Sequence, residues 1–273
     1  MHMDKNFDLT QFIGQVKDHI RTLQDTNGVV YLDDIYQYIS CNIEDIFQSY
    51  KPYLQHVFNY PTGQILPGSE FGDAIQKILS DRNLSILEFG CWNGLGSTRL
   101  CAEATKGKVY SIELNPFMVA TCVKNLQPFP SNLNLIFGKV LNTENLKIDV
   151  EDSFLSLEFS DRDVTLGGLV EVVLLKSVPN ILSLIPPKLD CLLLDGGVFM
   201  SFDEFLLLHR RFSKYLFLDD TSSSKCAKIY EFLDSSKDWE LALKCQDRAA
   251  AIFKRVSHEG FFNRCVQWLI PKN

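Results

Sequence analysis

Short apolar runs alternate with helix-like segments through the middle and end of the chain. The runs that predict strands lie at 84–89, 108–113, 133–138, 189–194 and 214–218. Apolar spacing predicts helices at 96–105 and 116–126, and the pattern at 239–255 predicts a final hairpin. Strands and helices in alternation predict a largely parallel sheet that is covered by helices on both faces.

Residues 1–83 are predicted to form an N-terminal helical segment or lid ahead of this sheet. Apolar residues recur at helical spacing over 12–23, which indicates an amphipathic helix. Residues 32–50 are predicted as one or two further helices, with Asp33 or Asp34 as N-cap. A helix at 71–79 then leads into the first strand.

Two stretches leave alternatives open. Aromatic residues mixed with proline and glycine at 53–68 indicate an ordered loop, which is either a lid over a pocket or a packing or dimer contact. Within the second domain, 84–273, an insertion is predicted at about 141–177. Its apolar run at 169–175 fits a strand or a helix, and 178–185 is predicted as the crossover helix, stopped by two prolines.

The stretch from Ile86 to Thr98 has the pattern of a strand, a glycine-rich turn and the start of a helix. Glu88 precedes glycines at 90, 94 and 96. Glycine tolerates positive φ and lets a ligand approach the backbone closely, and the helix start adds free N–H groups. The spacing fits neither the dinucleotide fingerprint nor the phosphate loop, which needs a lysine after its last glycine.

A second apolar strand ends in Glu113, roughly 20 residues beyond the glycines, where a ribose-binding carboxylate belongs. A carboxylate there can accept hydrogen bonds from both ribose hydroxyls and would repel a 2′-phosphate. Taken alone, Glu113 could be an ordinary strand-end acid; together with the glycines it predicts a nucleoside-containing ligand.

These two features resemble motif I and the ribose-binding acid of class I S-adenosylmethionine (SAM) methyltransferases. Trp92 stands where many members have glycine, and an aromatic residue there is typical of catechol and caffeoyl-CoA O-methyltransferases. The resemblance implies a Rossmann-like seven-stranded fold whose last strand is antiparallel. It implies cofactor-binding roles for Glu88, Gly90, Cys91, Trp92, Asn93, Gly94, Gly96, Ser97, Glu113 and Asp195.

Later phrases extend the resemblance to about residues 60–256. Leu-Asp-Gly-Gly at 194–197, Leu-Asp-Asp-Thr at 218–221 with Lys225, and Asp247-Arg248 are similar to a group of bacterial methyltransferases that act on small molecules and glycans. The implied reaction is methyl transfer from SAM to a small polar acceptor, at a hydroxyl oxygen of a sugar or natural product. The family's adenine-binding acid is missing, because Gly138-Lys139 stands at that step.

Three aspartates are the candidates for catalysis and metal binding. Asp195 ends the fourth predicted strand and Asp219-Asp220 the fifth, so we expect them at one edge of the sheet. Carboxylates this close raise one another's pKa unless a cation compensates, and their oxygens suit Mg²⁺. The resemblance implies that Asp195 and Asp219 are catalytic and that Asp195, Asp219 and Asp220 bind the metal. Alternatively, Asp195 is a general base or a residue of the SAM pocket, and the Asp pair caps the next helix.

Composition narrows the function classes. The chain has 273 residues, 46% of them hydrophobic, and a net charge of −7, which argues against a nucleic-acid surface. It contains neither an apolar run of the ~20 residues that a membrane span needs nor a signal-peptide pattern at its start. Its eight cysteines include no C-x-x-C pair, which predicts free thiols and a cytoplasmic location. A homo-oligomer stays open.

Two other functions remain as alternatives. A SAM-binding partner subunit without activity is one, because no base follows Asp195 within Gly196–Phe199. An NAD(P)-dependent oxidoreductase is the other. The glycine spacing counts against it, as does the lack of a Tyr-x-x-x-Lys pair near the fourth strand.

Overall fold

The computed structural model describes residues 8–23, 29–57, 65–144, 146–149, 162–197, 200–223 and 225–256. Its α-helices are α1 (Leu9–Leu23), α2 (Leu32–Ile39), α3 (Ile43–Val57), α4 (Glu70–Ser80), α5 (Ser97–Ala104), α6 (Pro116–Asn125), α7 (Arg162–Ser177), α8 (Ser201–Leu208) and α9 (Ala227–Asp234). Its strands are β1 (Val29–Tyr31), β2 (Ile86–Phe89), β3 (Val109–Glu113), β4 (Leu133–Phe137), β5 (Lys147–Asp149), β6 (Leu189–Leu194), β7 (Phe212–Leu218), β8 (Trp239–Lys244) and β9 (Ala251–Arg255).

Seven strands form one sheet in the order β4-β3-β2-β6-β7-β9-β8. The five strands from β4 to β7 are parallel, and β9 is antiparallel to both β7 and β8. The predicted Rossmann-like methyltransferase fold, with its last strand reversed, is therefore confirmed. The chain winds from β2 to β4 on one side and crosses to β6 on the other. This reversal creates a crevice at the carboxyl ends of β2 and β6.

The central strands of the sheet are buried on both faces. Successive side chains of a strand point to opposite sides, so each central strand contributes to two apolar clusters. Along β6, Cys191 and Leu193 pack in one apolar cluster with residues of α4 and α5, whereas Leu192 and Leu194 pack in the other. This explains why the central strands read as continuous apolar runs and not as an alternation of apolar and polar residues.

Helices α1, α2 and α3 pack against α7. Ile20 of α1, Ile35 of α2 and Leu169 of α7 belong to the same apolar cluster as Leu87 of the central strand. A two-stranded antiparallel sheet of β1 and β5 also joins the N-terminal segment to the stretch after β4. The boundary at residues 83/84 stays a prediction.

The predicted crossover helix at 178–185 is wrong. The crossover helix is α7, which ends at Ser177, and 178–185 holds only a short 3-10 helix at Leu182–Leu184. Pro179 explains the end, because a proline disfavours helical backbone in the residue before it. The run at 169–175 is helical, and six of its seven residues are buried, so its periodicity was uninformative.

The predicted N-cap of α2 is also wrong. Tyr31 is the N-cap residue, and neither Asp33 nor Asp34 caps the helix with its side chain. Asp33 lies in the first turn, and its Oδ1 forms an ion pair with Nζ of Lys176 in α7 at a distance of 2.6 Å. The carboxylate that the sequence suggested as a helix cap therefore forms a tertiary contact with another helix.

Much of the lid interpretation of 53–68 falls on residues 58–64, which lie outside the described part of the chain. The part before them continues α3 to Val57, with Pro52 inside that helix. None of the helices in the described ranges is long and apolar enough to cross a membrane.

Truncation of Leu193 should destabilise the fold strongly. Its side chain is fully buried in the central strand β6, so Leu193→Ala leaves a cavity and should lower the free energy of unfolding by about 2–5 kcal/mol. The matched control is Leu184→Ala, where the leucine is 61% exposed and the change should stay within about 0.5 kcal/mol. Urea denaturation of the two variants measures both values; equal losses would contradict the described core.

Candidate functional site

The glycine-rich loop follows β2 and leads into α5. Gly90 and Gly94 have φ of +87° and +80°, values that favour glycine. A Cβ at Gly90 would overlap the backbone carbonyl of Asp195, and one at Gly94 would lie 2.6 Å from the sulfur of Cys122. These two glycines are required by the packing of the chain itself, before any ligand is considered.

The other predicted loop residues lie close to the backbone. Cys91 donates its thiol to the carbonyl of Trp92, and the Asn93 side chain accepts the Leu95 N–H at 3.0 Å. Ser97 is the first residue of α5 and is buried. Gly96 is the N-cap residue and has no side chain with which to cap the helix.

Glu88 is fully buried beneath this loop. Its Oε2 accepts hydrogen bonds from the hydroxyls of Thr98 at 2.7 Å and of Ser111 at 2.5 Å. Its Oε1 has no hydrogen-bond partner among the described residues. Burial raises the pKa of Glu88, and the hydroxyls of Ser111, Ser97 and Thr98 partly offset this effect. Neither of the hydrogen bonds to Oε2 was predicted; the only sequence signal was a polar Ser111 inside an apolar strand, opposite Glu88 in register.

Glu113, at the end of β3, is joined to the glycine loop. Its Oε2 accepts the N–H of Trp92 at 3.0 Å, and its Oε1 accepts the N–H of Asn115 at 2.8 Å. Trp92 has a φ of +50°, unusual for a bulky residue. Burial raises the pKa of Glu113 to about 6, although these backbone bonds lower it. The structure therefore places both predicted ligand-binding features next to each other.

Asp195, Asp219 and Asp220, here called the acid triad, come together at the carboxyl ends of β6 and β7. One oxygen from each lies within 4.8 Å of the others. The ammonium of Lys225 binds two of them, at 2.6 Å from Asp195 Oδ1 and 3.1 Å from Asp220 Oδ2. Lys225 is only 9% exposed, so its ion pair with Asp195 is largely shielded from solvent, whereas the side chain of Asp220 is 51% exposed.

Arg248, in the connection between β8 and β9, binds the third member of the triad. Its guanidinium lies 2.5 Å from both carboxylate oxygens of Asp219 and above the ring of Phe71. The sequence interpretation quoted Lys225 and Arg248 only as part of a resemblance. Lys225 is 30 positions from Asp195 and Arg248 is 29 positions from Asp219, and this distance along the chain hid their role as counter-charges of the triad.

The pKa values of the triad reflect crowding and burial. Burial raises the pKa of Asp195, and Lys225 opposes this rise. Burial, with the charges of Asp195 and Asp220, raises the pKa of Asp219 to about 7. Burial disfavours the charged form of Lys225, but the triad outweighs it and the pKa of Lys225 is raised.

A second pair of acids, Glu171 of α7 and Glu204 of α8, lies behind Gly196-Gly197. A Cβ at Gly197 would overlap the Glu171 carboxyl group, and one at Gly196 would lie 3.9 Å from Glu204 Oε2. Burial raises the pKa of Glu204 to about 8, with added contributions from Glu171 and Asp203. Sequence reasoning missed this pair, because both acids sit within apolar helices.

Lys139, at the step where an adenine-binding acid was lacking, has a structural contact. Its ammonium donates to the hydroxyl of Thr143 at 2.8 Å and to the carbonyl of Leu175 in the last turn of α7. A cation near the C-terminus of a helix is favourable for the helix dipole. Lys139 thereby attaches α7 to the carboxyl end of β4.

No family model and no curated protein matches this chain. Among solved structures, an O-methyltransferase from Bacillus cereus in complex with SAH is 13% identical, with 87% of this chain and 100% of that chain covered and a TM-score of 0.48. The SAH-bound methyltransferase PaMTH1 from Podospora anserina is 13% identical, with 94% of this chain and 100% of that chain covered and a TM-score of 0.47. The O-methyltransferase TomG from Streptomyces achromogenes, in complex with SAM, is 12% identical, with 68% of this chain and 79% of that chain covered and a TM-score of 0.43. Likenesses this distant assign neither a reaction nor a substrate to this chain.

Replacing Glu204 by glutamine should make the protein more stable than wild type, and the difference should grow as the pH rises. The unfolded chain loses this proton near pH 4.5, whereas the folded protein keeps it to about pH 8. The folded state therefore binds more protons between these values, and wild-type stability falls as the pH rises through the window. Glu204→Gln removes that loss, so its Tm should exceed that of wild type increasingly from pH 5 to pH 8.

The control for this measurement is Glu231→Gln, at an exposed position of α9. For a domain of this size, about 1 kcal/mol corresponds to roughly 2–4 °C in Tm. A Glu204→Gln curve that runs parallel to that of wild type across the window would refute the described burial of this acid.

Proposed function

We propose that this chain is a SAM-dependent methyltransferase that methylates a hydroxyl oxygen of a small polar acceptor, such as a sugar or a natural product. The supporting observation is the joining of the glycine loop to Glu113 by the Trp92 N–H, at the reversal of strand order. Open α/β sheets bind ligands at this place, and the spacing of glycines 90, 94 and 96 does not fit the dinucleotide fingerprint.

The residues of the rim suit SAM. Each oxygen of Glu113 already accepts one backbone hydrogen bond, and a carboxylate oxygen has a further lone pair that can accept a ribose hydroxyl. The carboxyl group of Glu88 is buried below the loop, and its Oε1 lacks a hydrogen-bond partner among the described residues. We assign to Glu88, in its ionised form, the attraction of the ammonium group of SAM. The backbone of 91–97 and Asp195 complete the proposed pocket.

Bound SAM supplies an electrophilic methyl group, so the chain has to bind the acceptor and receive its proton. We assign that proton to Asp195, which lies at the crevice and whose pKa is raised by burial. Asp219 has both oxygens engaged by Arg248, so we assign it the role of holding the β8–β9 connection at the site. Positioning of the acceptor accounts for the remaining rate enhancement in this proposal.

We also propose a cytoplasmic location. The seven cysteines in the described ranges are all free, and six of them are buried. Buried free thiols are typical of proteins in a reducing compartment. A homo-oligomer stays a prediction.

Replacing Glu113 by glutamine should weaken SAM binding. The amide keeps the size of the side chain but loses the charge, and hydrogen bonds to a charged group are worth about 1.5–3 kcal/mol. We expect affinity for SAM and for its demethylated product to fall by about tenfold or more in calorimetry. Glu103→Gln, at an exposed position of α5, is the control and should bind as wild type does.

The affinity of the wild-type protein should also depend on pH. Below a pH of about 6 the carboxyl group of Glu113 takes up a proton, so SAM binding should weaken as the pH falls through this value. In Glu113→Gln this dependence should be absent. Tight NADH binding without SAM binding would sink the proposal. SAM binding without turnover of any sugar or phenol acceptor would favour a partner subunit.

A further inference from the structure

The acid triad already holds cations that belong to the chain. Lys225 lies against Asp195 and Asp220, and Arg248 engages both oxygens of Asp219. With all three acids ionised, the formal charge of the cluster is −3 + 2 = −1. The repulsion that led us to expect a metal ion is thus largely compensated by two side chains.

The position of Lys225 is set by the backbone. Asp220 adopts a φ of +55°, and the turn that follows is closed by a hydrogen bond from the Ser223 N–H to the Asp220 carbonyl at 3.1 Å. The Lys225 N–H donates to the Ser223 hydroxyl at 3.3 Å. Thr221 donates to the carbonyl of Ala249, which ties this turn to the segment that holds Arg248. Both cations therefore belong to one connected loop structure.

A divalent metal does not fit the triad in this arrangement. Mg²⁺ needs close to six oxygen ligands at about 2.0–2.1 Å in octahedral geometry. The ammonium occupies the position next to Asp195 and Asp220 from which both would have to be reached, and the oxygens of Asp219 face Arg248. A metal ion and the Lys225 ammonium would also repel each other at this distance.

We propose that Lys225 is the resident cation of the acid triad, and that it takes the place of a divalent metal in positioning Asp195 and Asp220. A lysine ammonium has three N–H donors, and Asp195 and Asp220 accept two of them. We assign the third N–H of Lys225 to an oxygen of the acceptor, and this assignment rests on the proposed methyl transfer. The reaction is then independent of divalent metal.

The test is titration with Mn²⁺, which needs neither SAM nor an acceptor. Mn²⁺ binding to the wild-type protein, followed by electron paramagnetic resonance or calorimetry, should be no stronger than to Asp219→Asn. Lys225→Met keeps much of the side-chain volume but removes the charge. It should tighten Mn²⁺ binding by at least about tenfold, because Asp195 and Asp220 then lose the ammonium with which they pair. Lys237→Met, at an exposed position, is the matched control and should behave as wild type does.

If Lys225→Met does not fold, Lys225→Gln gives the same measurement, since its amide can still donate to Asp195. Mn²⁺ binding to the wild-type protein that is lost in Asp219→Asn would overturn the proposal. So would a folded Lys225 variant with unchanged Mn²⁺ binding. A protein that fails to bind SAM but shows the expected Mn²⁺ pattern would refute the proposed function and leave the role of Lys225 intact.

Once an acceptor is known, methyl transfer by the wild-type protein should be unaffected by a chelator. Chelator-sensitive turnover that is restored by Mg²⁺ would overturn the proposed metal independence, while showing that the methyltransferase assignment is right. Full turnover in chelator, with the expected Mn²⁺ pattern, supports both.

Discussion

Negative charge at the carboxyl ends of the parallel strands is the constraint on which the site depends. Acids at or just behind this rim are Glu88, Glu113, Asp195, Glu204, Asp219 and Asp220. All of these acids except the exposed Asp220 are buried or partly buried, and burial of carboxyl groups is costly unless they are compensated. Four kinds of compensation occur: hydroxyl donors, backbone N–H donors, cationic side chains and retention of a proton.

The kind of compensation divides the rim into two parts. On the β2–β3 side, Glu88 accepts hydrogen bonds from hydroxyls and Glu113 from backbone N–H groups, all of them neutral donors. On the β6–β7 side, Asp195 is paired with Lys225 and Asp219 with Arg248, so the net charge is small. The first part suits the ammonium and ribose of SAM, and the second suits a polar acceptor whose hydroxyl must lose a proton.

The two parts are mechanically connected. The glycine loop touches the β6 end directly, since any side chain at Gly90 would overlap the Asp195 carbonyl. Behind β6, Gly196-Gly197 lies against the Glu171 and Glu204 carboxyl groups, which belong to α7 and α8. Helix α7 is in turn packed against the N-terminal helices and is held at its last turn by Lys139.

Local sequence alone determined the seven strands of the main sheet and most of the helices, because apolar periodicity and turn residues are short-range signals. It missed the short strands β1 and β5, which pair with each other across more than 100 residues. It also placed Glu88, Glu113 and the acid triad at strand ends, and parallel topology brings strand ends to one edge. What only tertiary structure decided are the partners of these acids. Ser111 meets Glu88 through strand register, while Lys225 and Arg248 reach the triad from loops 30 and 29 positions away from Asp195 and Asp219. The sequence pattern did not identify α7 for a related reason. This helix is packed in one apolar cluster with the N-terminal helices and the central strand, and burial on several sides removes the periodicity that distinguishes a helix from a strand.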